Sequence, residues 1–136
     1  MSTPAMIGIE NKNKSVTAIF VELDGRPDGV GKELSKSYST PAKAKSLFGK
    51  GSLESLGSTI KSSEFCMMDG EEEEDCEIKN EYKYKSKKKF AEAAGDLYSD
   101  IGVEWLFLFS SITEDKGEWL VHSCNEFDAL FLMKMI

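Results

Sequence analysis

The sequence predicts an α+β fold: a two-layer sandwich in which an antiparallel sheet, built from N- and C-terminal hairpins, carries three to four short helices on one side. Three observations predict it. β-like runs pair around short polar loops near the N-terminus (residues 6–23) and again near the C-terminus (residues 102–122). Helical spacing of apolar residues occurs chiefly between those hairpins. At 136 residues, with 40% hydrophobic and 30% charged residues, the chain suits one domain, 1–136, whose core needs no metal or disulfide.

In order, Met6–Glu10 reads as a strand, Asn11–Lys14 as a polar turn and Ser15–Leu23 as a second strand. The second strand is apolar on both faces, which places it centrally in its sheet. Asp24–Gly31 packs three glycines, one proline and two aspartates into a turn. Val30, Leu34 and Tyr38 then predict a helix over 29–38, with Asp28 as its cap. Thr40 caps a second helix over 41–48, with Pro41 at its first position. Ser52–Gly57 reads as one further helical turn capped by Ser52. A strand is expected near Glu64–Met67, a solvated acidic loop over about 69–76, and a strand within Cys76–Tyr84. Phe90, Ala94, Leu97 and Tyr98 mark an amphipathic helix over 86–98. Gly102–Phe109 and Gly117–His122 form the second hairpin. Asn125 caps a last short helix, although 130–136 reads equally as an edge strand.

The formal net charge is −7, which disfavours loose adhesion to nucleic acid or anionic membrane and leaves a basic protein surface as the charged partner to expect. The first six residues lack a signal peptide's basic and apolar regions, and no apolar run approaches the roughly 18 residues of a membrane span. A cytoplasmic protein is expected. Cys66, Cys76 and Cys124 are odd in number and irregular in spacing, so reduced thiols are expected rather than a disulfide framework. With His122 the only histidine and no Cys-x-x-Cys, neither a metal site nor any other cofactor is expected.

Two segments stand out as binding candidates. Glu71, Glu72, Glu73, Glu74 and Asp75 form a carboxylate run that could steer a basic partner by long-range attraction. Asp24, Gly25, Arg26, Asp28, Gly29, Gly31 and Lys32 form a glycine turn before a helix, where backbone amides could hold a phosphate. The Walker spacing is absent there, and two aspartates oppose an anion. Lys83, Lys85, Lys87, Lys88 and Lys89 follow the acidic run with Tyr82 and Tyr84 interleaved, and read as charge balancing within the domain rather than as a nucleic-acid site. His122 and Cys124, at i and i+2 on a strand, sit about 6.5 Å apart, too far for a catalytic pair. Trp105, Phe107 and Trp119 read as core.

Ile7–Asn11, Ser15–Ile19 and the run Asp24-Gly25-Arg26-Pro27-Asp28-Gly29-Val30-Gly31-Lys32-Glu33-Leu34 resemble a group of small uncharacterised phage and prophage proteins. That group is marked by an Asp-Gly-x-Pro-x-Gly-Val-Gly-x-x-Leu turn-helix followed by Gly-x-Leu-x-x-Leu-Gly. Gly51–Gly57 matches the latter, and Trp105–Phe109 with Glu118–Val121 is similar to the group's aromatic ending. The aromatic or His-Trp pair that often precedes the group's Asp-Gly is replaced here by Glu22-Leu23. The resemblance implies a phage origin and carries no activity to transfer.

The resulting expectation is a phage-encoded, non-enzymatic interaction protein. It would inhibit a host or anti-phage defence protein (CRISPR-type or other) through the acidic run, with no direct nucleic-acid or membrane binding. The alternative is a small-ligand protein that binds or sequesters a nucleotide signal on the glycine turn. The apolar tail or an edge strand offers a surface for a homodimer.

Overall fold

Strands β1 (Ala5–Glu10) and β2 (Val16–Val21) are buried at every position, as runs apolar on both faces require. The computed structural model describes residues 3–65, 67–68, 71–72, 81–111, 113, 116–124 and 133–134. β1 and β2 pair antiparallel from Ala5↔Val21 to Glu10↔Val16. On its other side β1 pairs parallel with β8 (Trp105–Ser111), from Ala5↔Trp105 to Ile9↔Phe109. β8 pairs antiparallel with β9 (Gly117–Ser123), and β10 (Met133–Lys134) adds outside β9 through Met133↔Val121. The two hairpins are therefore joined centrally in one mixed sheet.

The outer edge of β2 is shared. Val21 pairs parallel with Leu53 of β3 (Leu53–Ser55), and Val16–Ala18 pair antiparallel with β7 (Tyr82–Tyr84). β4 (Glu64–Phe65) lies outside β3. Among the described residues β5 (Met67–Met68) and β6 (Glu71–Glu72) pair with each other, in a two-stranded ribbon distinct from this eight-stranded sheet.

Two expectations about architecture are corrected. The sheet is mixed, not antiparallel, and the helices cover both of its faces. Alternation along the strands explains the second point. Ile7, Ile9, Ile19, Val21, Phe107, Phe109 and Trp119 share one face. They pack against Val30, α1 (Lys32–Ser37) through Leu34, and α2 (Pro41–Lys45) through Ala44. Met6, Val16, Ala18, Phe20, Leu106 and Leu108 share the other face. Over them lie α3 (Lys87–Glu92) through Phe90 and α4 (Ala94–Ile101) through Ala94 and Leu97. A sheet apolar on both faces needs a layer on each, so one helical layer could not have sufficed.

Local differences have local causes. The helix expected over 29–38 begins as a wide turn, Pro27–Gly31, closed by Gly31 N donating to Arg26 O at 3.1 Å; no side chain caps it, so Asp28 is not the cap. Thr40 Oγ1 does cap α2, accepting from Lys43 N at 3.3 Å. Ser52–Gly57 is not a helical turn: Leu53–Ser55 is extended, and the Ser52 hydroxyl accepts from Phe20 N at 3.2 Å, bonding to the adjacent strand. The amphipathic helix over 86–98 is two helices broken at Ala93, and Tyr98, expected on its apolar stripe, is 44% exposed. Ser86 Oγ caps α3 by accepting from Lys89 N. Gly8 explains how closely α3 lies on the sheet: a Cβ there would stand 3.1 Å from Phe90 Cε2 and 3.2 Å from Leu108 Cδ1. The helix expected after Asn125 lies outside the described residues.

Candidate functional site

The glycine turn between β2 and α1 is held from within. Asp24 takes a left-handed conformation, φ +57°, which costs energy for a residue with a side chain. Gly25 N donates to Thr3 O at 2.7 Å, and Val30 N to Asp24 O at 2.7 Å. Gly29 N and Gly31 N both donate to Arg26 O, at 3.0 and 3.1 Å. Gly25 is required by space, because a Cβ would come within 2.3 Å of Thr3 O. Asp24, Gly25, Arg26, Asp28, Gly29, Gly31 and Lys32 are thus brought together, but the amides of Gly25, Gly29, Val30 and Gly31 serve the turn itself. They do not point to an anion. The side chains of Asp24, Arg26, Asp28 and Lys32 stand in solvent.

The acidic run begins on the small ribbon. Glu71 and Glu72 are β6, paired by backbone as Met68↔Glu71 and Met67↔Glu72. Glu73, Glu74 and Asp75 lie outside the described residues, as do Cys66 and Cys76.

His122 and Cys124 are buried where β9 ends. Burial, with a smaller contribution from Glu104, pushes the Cys124 thiol up to about 12. That thiol is protonated at neutral pH and unsuited to nucleophilic attack. Among the described residues His122 Nδ1 has no hydrogen-bond partner. Trp119 is core: its indole meets the Phe109 ring edge-on at 5.2 Å, and Nε1 donates to Tyr38 O at 3.0 Å. Tyr38 in turn donates its hydroxyl to Gly57 O at 2.8 Å, and burial raises its pKa. Tyr84 packs on Phe90 at 5.2 Å, and burial together with Tyr82 pushes it up to about 12.

One polar cluster has no counterpart in the sequence reading. Glu10 ends β1 with its side chain only 5% exposed. Ser110, near the end of β8, donates to Glu10 Oε1 at 3.1 Å, and Lys87 in the first turn of α3 reaches Glu10 Oε2 at 3.8 Å and Ser110 Oγ at 3.4 Å. A carboxylate, a hydroxyl and an ammonium thereby fasten α3 to the ends of the two parallel strands. No local signal announces this, because Glu10 and Ser110 meet only through the β1–β8 pairing. Two more lysines of the run are paired nearby, Lys83 with Glu81 and Lys89 with Glu92, so the described lysine pairs are not with the acidic run.

Among the described residues no group of three or more His, Cys, Asp or Glu converges to hold a metal ion, and no helix is long and apolar enough to cross a membrane. No protein-family model, no curated protein and no solved structure matches the chain.

Proposed function

We propose that this protein is a phage-encoded binding protein that inhibits a host or anti-phage defence protein. The acidic segment Glu71–Asp75 meets a basic surface of that partner in the host cytoplasm. The observation that carries the reading is the β5–β6 ribbon. The acidic run starts on a pair of strands that is separate from the eight-stranded sheet. A net charge of −7 adds attraction for a basic partner, and attraction of this kind acts on the rate of encounter. The glycine turn does not favour the nucleotide reading, since four of its amides are already engaged.

The test is an affinity capture from host lysate with the full chain and with a variant in which Glu71–Glu74 become Gln and Asp75 becomes Asn. A partner held at low salt, released at high salt and lost in the variant supports the reading. A partner retained equally by the variant refutes the acidic segment as the contact.

A further inference from the structure

Four of the five lysines read above as charge balancing, Lys85, Lys87, Lys88 and Lys89, gather with two others at one corner of the fold. β2 and β7 pair antiparallel with Val16 opposite Tyr84. The chain just before β2 and the chain just after β7 therefore emerge side by side. The first carries Lys12 and Lys14 in the β1–β2 turn, and the second carries Lys85 and then Lys87, Lys88 and Lys89 in the first turn of α3. All six are exposed. The Lys87 contacts with Glu10 and Ser110 fix this turn of α3 against the same end of the sheet.

Four carboxylates among the described residues accompany them: Glu10 is buried on Lys87, Glu92 pairs with Lys89, Glu81 pairs with Lys83, and Glu118 stands opposite Ser110 at the same end of the sheet. Lys12, Lys14, Lys85 and Lys88 have no ion pair among the described residues. Paired strands stand about 5 Å apart, so the two lysine-bearing segments continue as neighbours beyond Val16 and Tyr84. No ion pair among the described residues relieves the repulsion of these four lysines. The carboxylates of Glu22, Asp24, Glu54 and Glu104 belong to the opposite end of the strands. That end is about 20 Å away along a six-residue strand, by a rise of about 3.3 Å per residue, and is largely screened at physiological salt.

We propose that this corner binds the phosphodiester backbone of a nucleic acid. Lysine ammoniums are point charges suited to phosphate. Tyr84, the nearest aromatic, is partly buried against Phe90, so the lysines are the groups this corner offers to solvent. Binding should therefore be indifferent to sequence and strongly dependent on salt. The exposed large hydrophobics among the described residues, Leu23 and Tyr98, lie away from the two lysine segments, so nothing apolar accompanies the charges as a membrane contact would need. The expectation of no nucleic-acid contact came from net charge, which averages over a surface whose ends differ. The substitutions that test this corner leave the acidic segment unchanged, so the two proposals fail or stand separately.

The test is fluorescence anisotropy of the full chain with a 20-base-pair duplex and with a 20-nucleotide single strand, at 50 and 200 mM NaCl. Four unpaired lysines imply a slope of about −3.6 in log K against log salt for the duplex, a loss of roughly 100-fold between those concentrations. The triple variant Lys14→Glu, Lys85→Glu, Lys88→Glu should abolish binding. The variant Lys36→Glu, Lys45→Glu, Lys61→Glu, with the same change in net charge at exposed sites elsewhere, should retain most of it. Urea midpoints close to the parent's show that both variants are folded. No binding at 50 mM, equal loss in both variants, or binding to phosphatidylserine vesicles but to neither oligonucleotide would overturn the proposal.

Discussion

The Glu10–Ser110–Lys87 cluster makes an asymmetric prediction, because its two charges differ in exposure. The Glu10 side chain is 5% exposed and that of Lys87 is 46%. Lys87→Met removes the ammonium and leaves a buried carboxylate held by the Ser110 hydroxyl alone. Breaking a fully buried pair costs about 3–5 kcal/mol. Here the lysine is half in water and the contact is long, at 3.8 Å, so about 1–2 kcal/mol is expected after screening. Glu10→Gln keeps the volume and an oxygen to accept from Ser110, and it frees a lysine that already touches solvent. It should cost under about 1 kcal/mol. Urea unfolding followed by tryptophan fluorescence reads the difference: with a typical slope, Lys87→Met lowers the midpoint by about 0.5–1 M and Glu10→Gln by less. The double variant should be more stable than Lys87→Met alone, since neutralising the carboxylate removes the unpaired charge. A Glu10→Gln loss larger than that of Lys87→Met, or strict additivity in the double variant, would refute the account.

Two further predictions follow from glycine geometry and from burial. Gly25→Ala should destabilise by about 1–3 kcal/mol, because its Cβ would meet backbone at Thr3 O, whereas Gly95→Ala, within α4 with no atom within 4 Å, should stabilise by about 0.5–1 kcal/mol; thermal melts of the two variants should move in opposite directions. Cys124 bears on the alkaline limb of stability. Its folded pKa, about 12, lies above the 9.0 of an unperturbed thiol, so the folded state keeps a proton that the unfolded state releases. That contribution is whole below about pH 9 and is lost as pH rises towards 12; Tyr84, raised from 10.0 to about 12, acts in the same sense. Urea midpoints should therefore fall between pH 9 and 11, less steeply in Cys124→Ala, and an unchanged slope in that variant would contradict the burial argument.

What the sequence disclosed and what it hid divide by the range of the interaction. Thr40-Pro41 announces α2 because the cap and the fixed φ act within four residues. β1–β2 and β8–β9 are legible because a short turn pairs neighbouring runs. The same runs also held the evidence against a single helical layer: Ile19 and Val21 face one core while Ala18 and Phe20 face the other, which predicts cover on both sides of the sheet. The parallel pairing of β1 with β8 was not legible. It joins residues a hundred apart, Ala5 with Trp105, and leaves no local mark in either strand. Both features that bear on function beyond the acidic run depend on such pairings. Glu10 acquires Ser110 only through β1–β8, and Lys14 acquires Lys85 as a neighbour only through β2–β7. Net charge pointed to basic partners alone, because a sum over the chain discards position. Once register sets two lysine segments side by side, an acidic protein gathers exposed lysines at one corner, and local charge rather than the sum over the chain governs what that corner attracts.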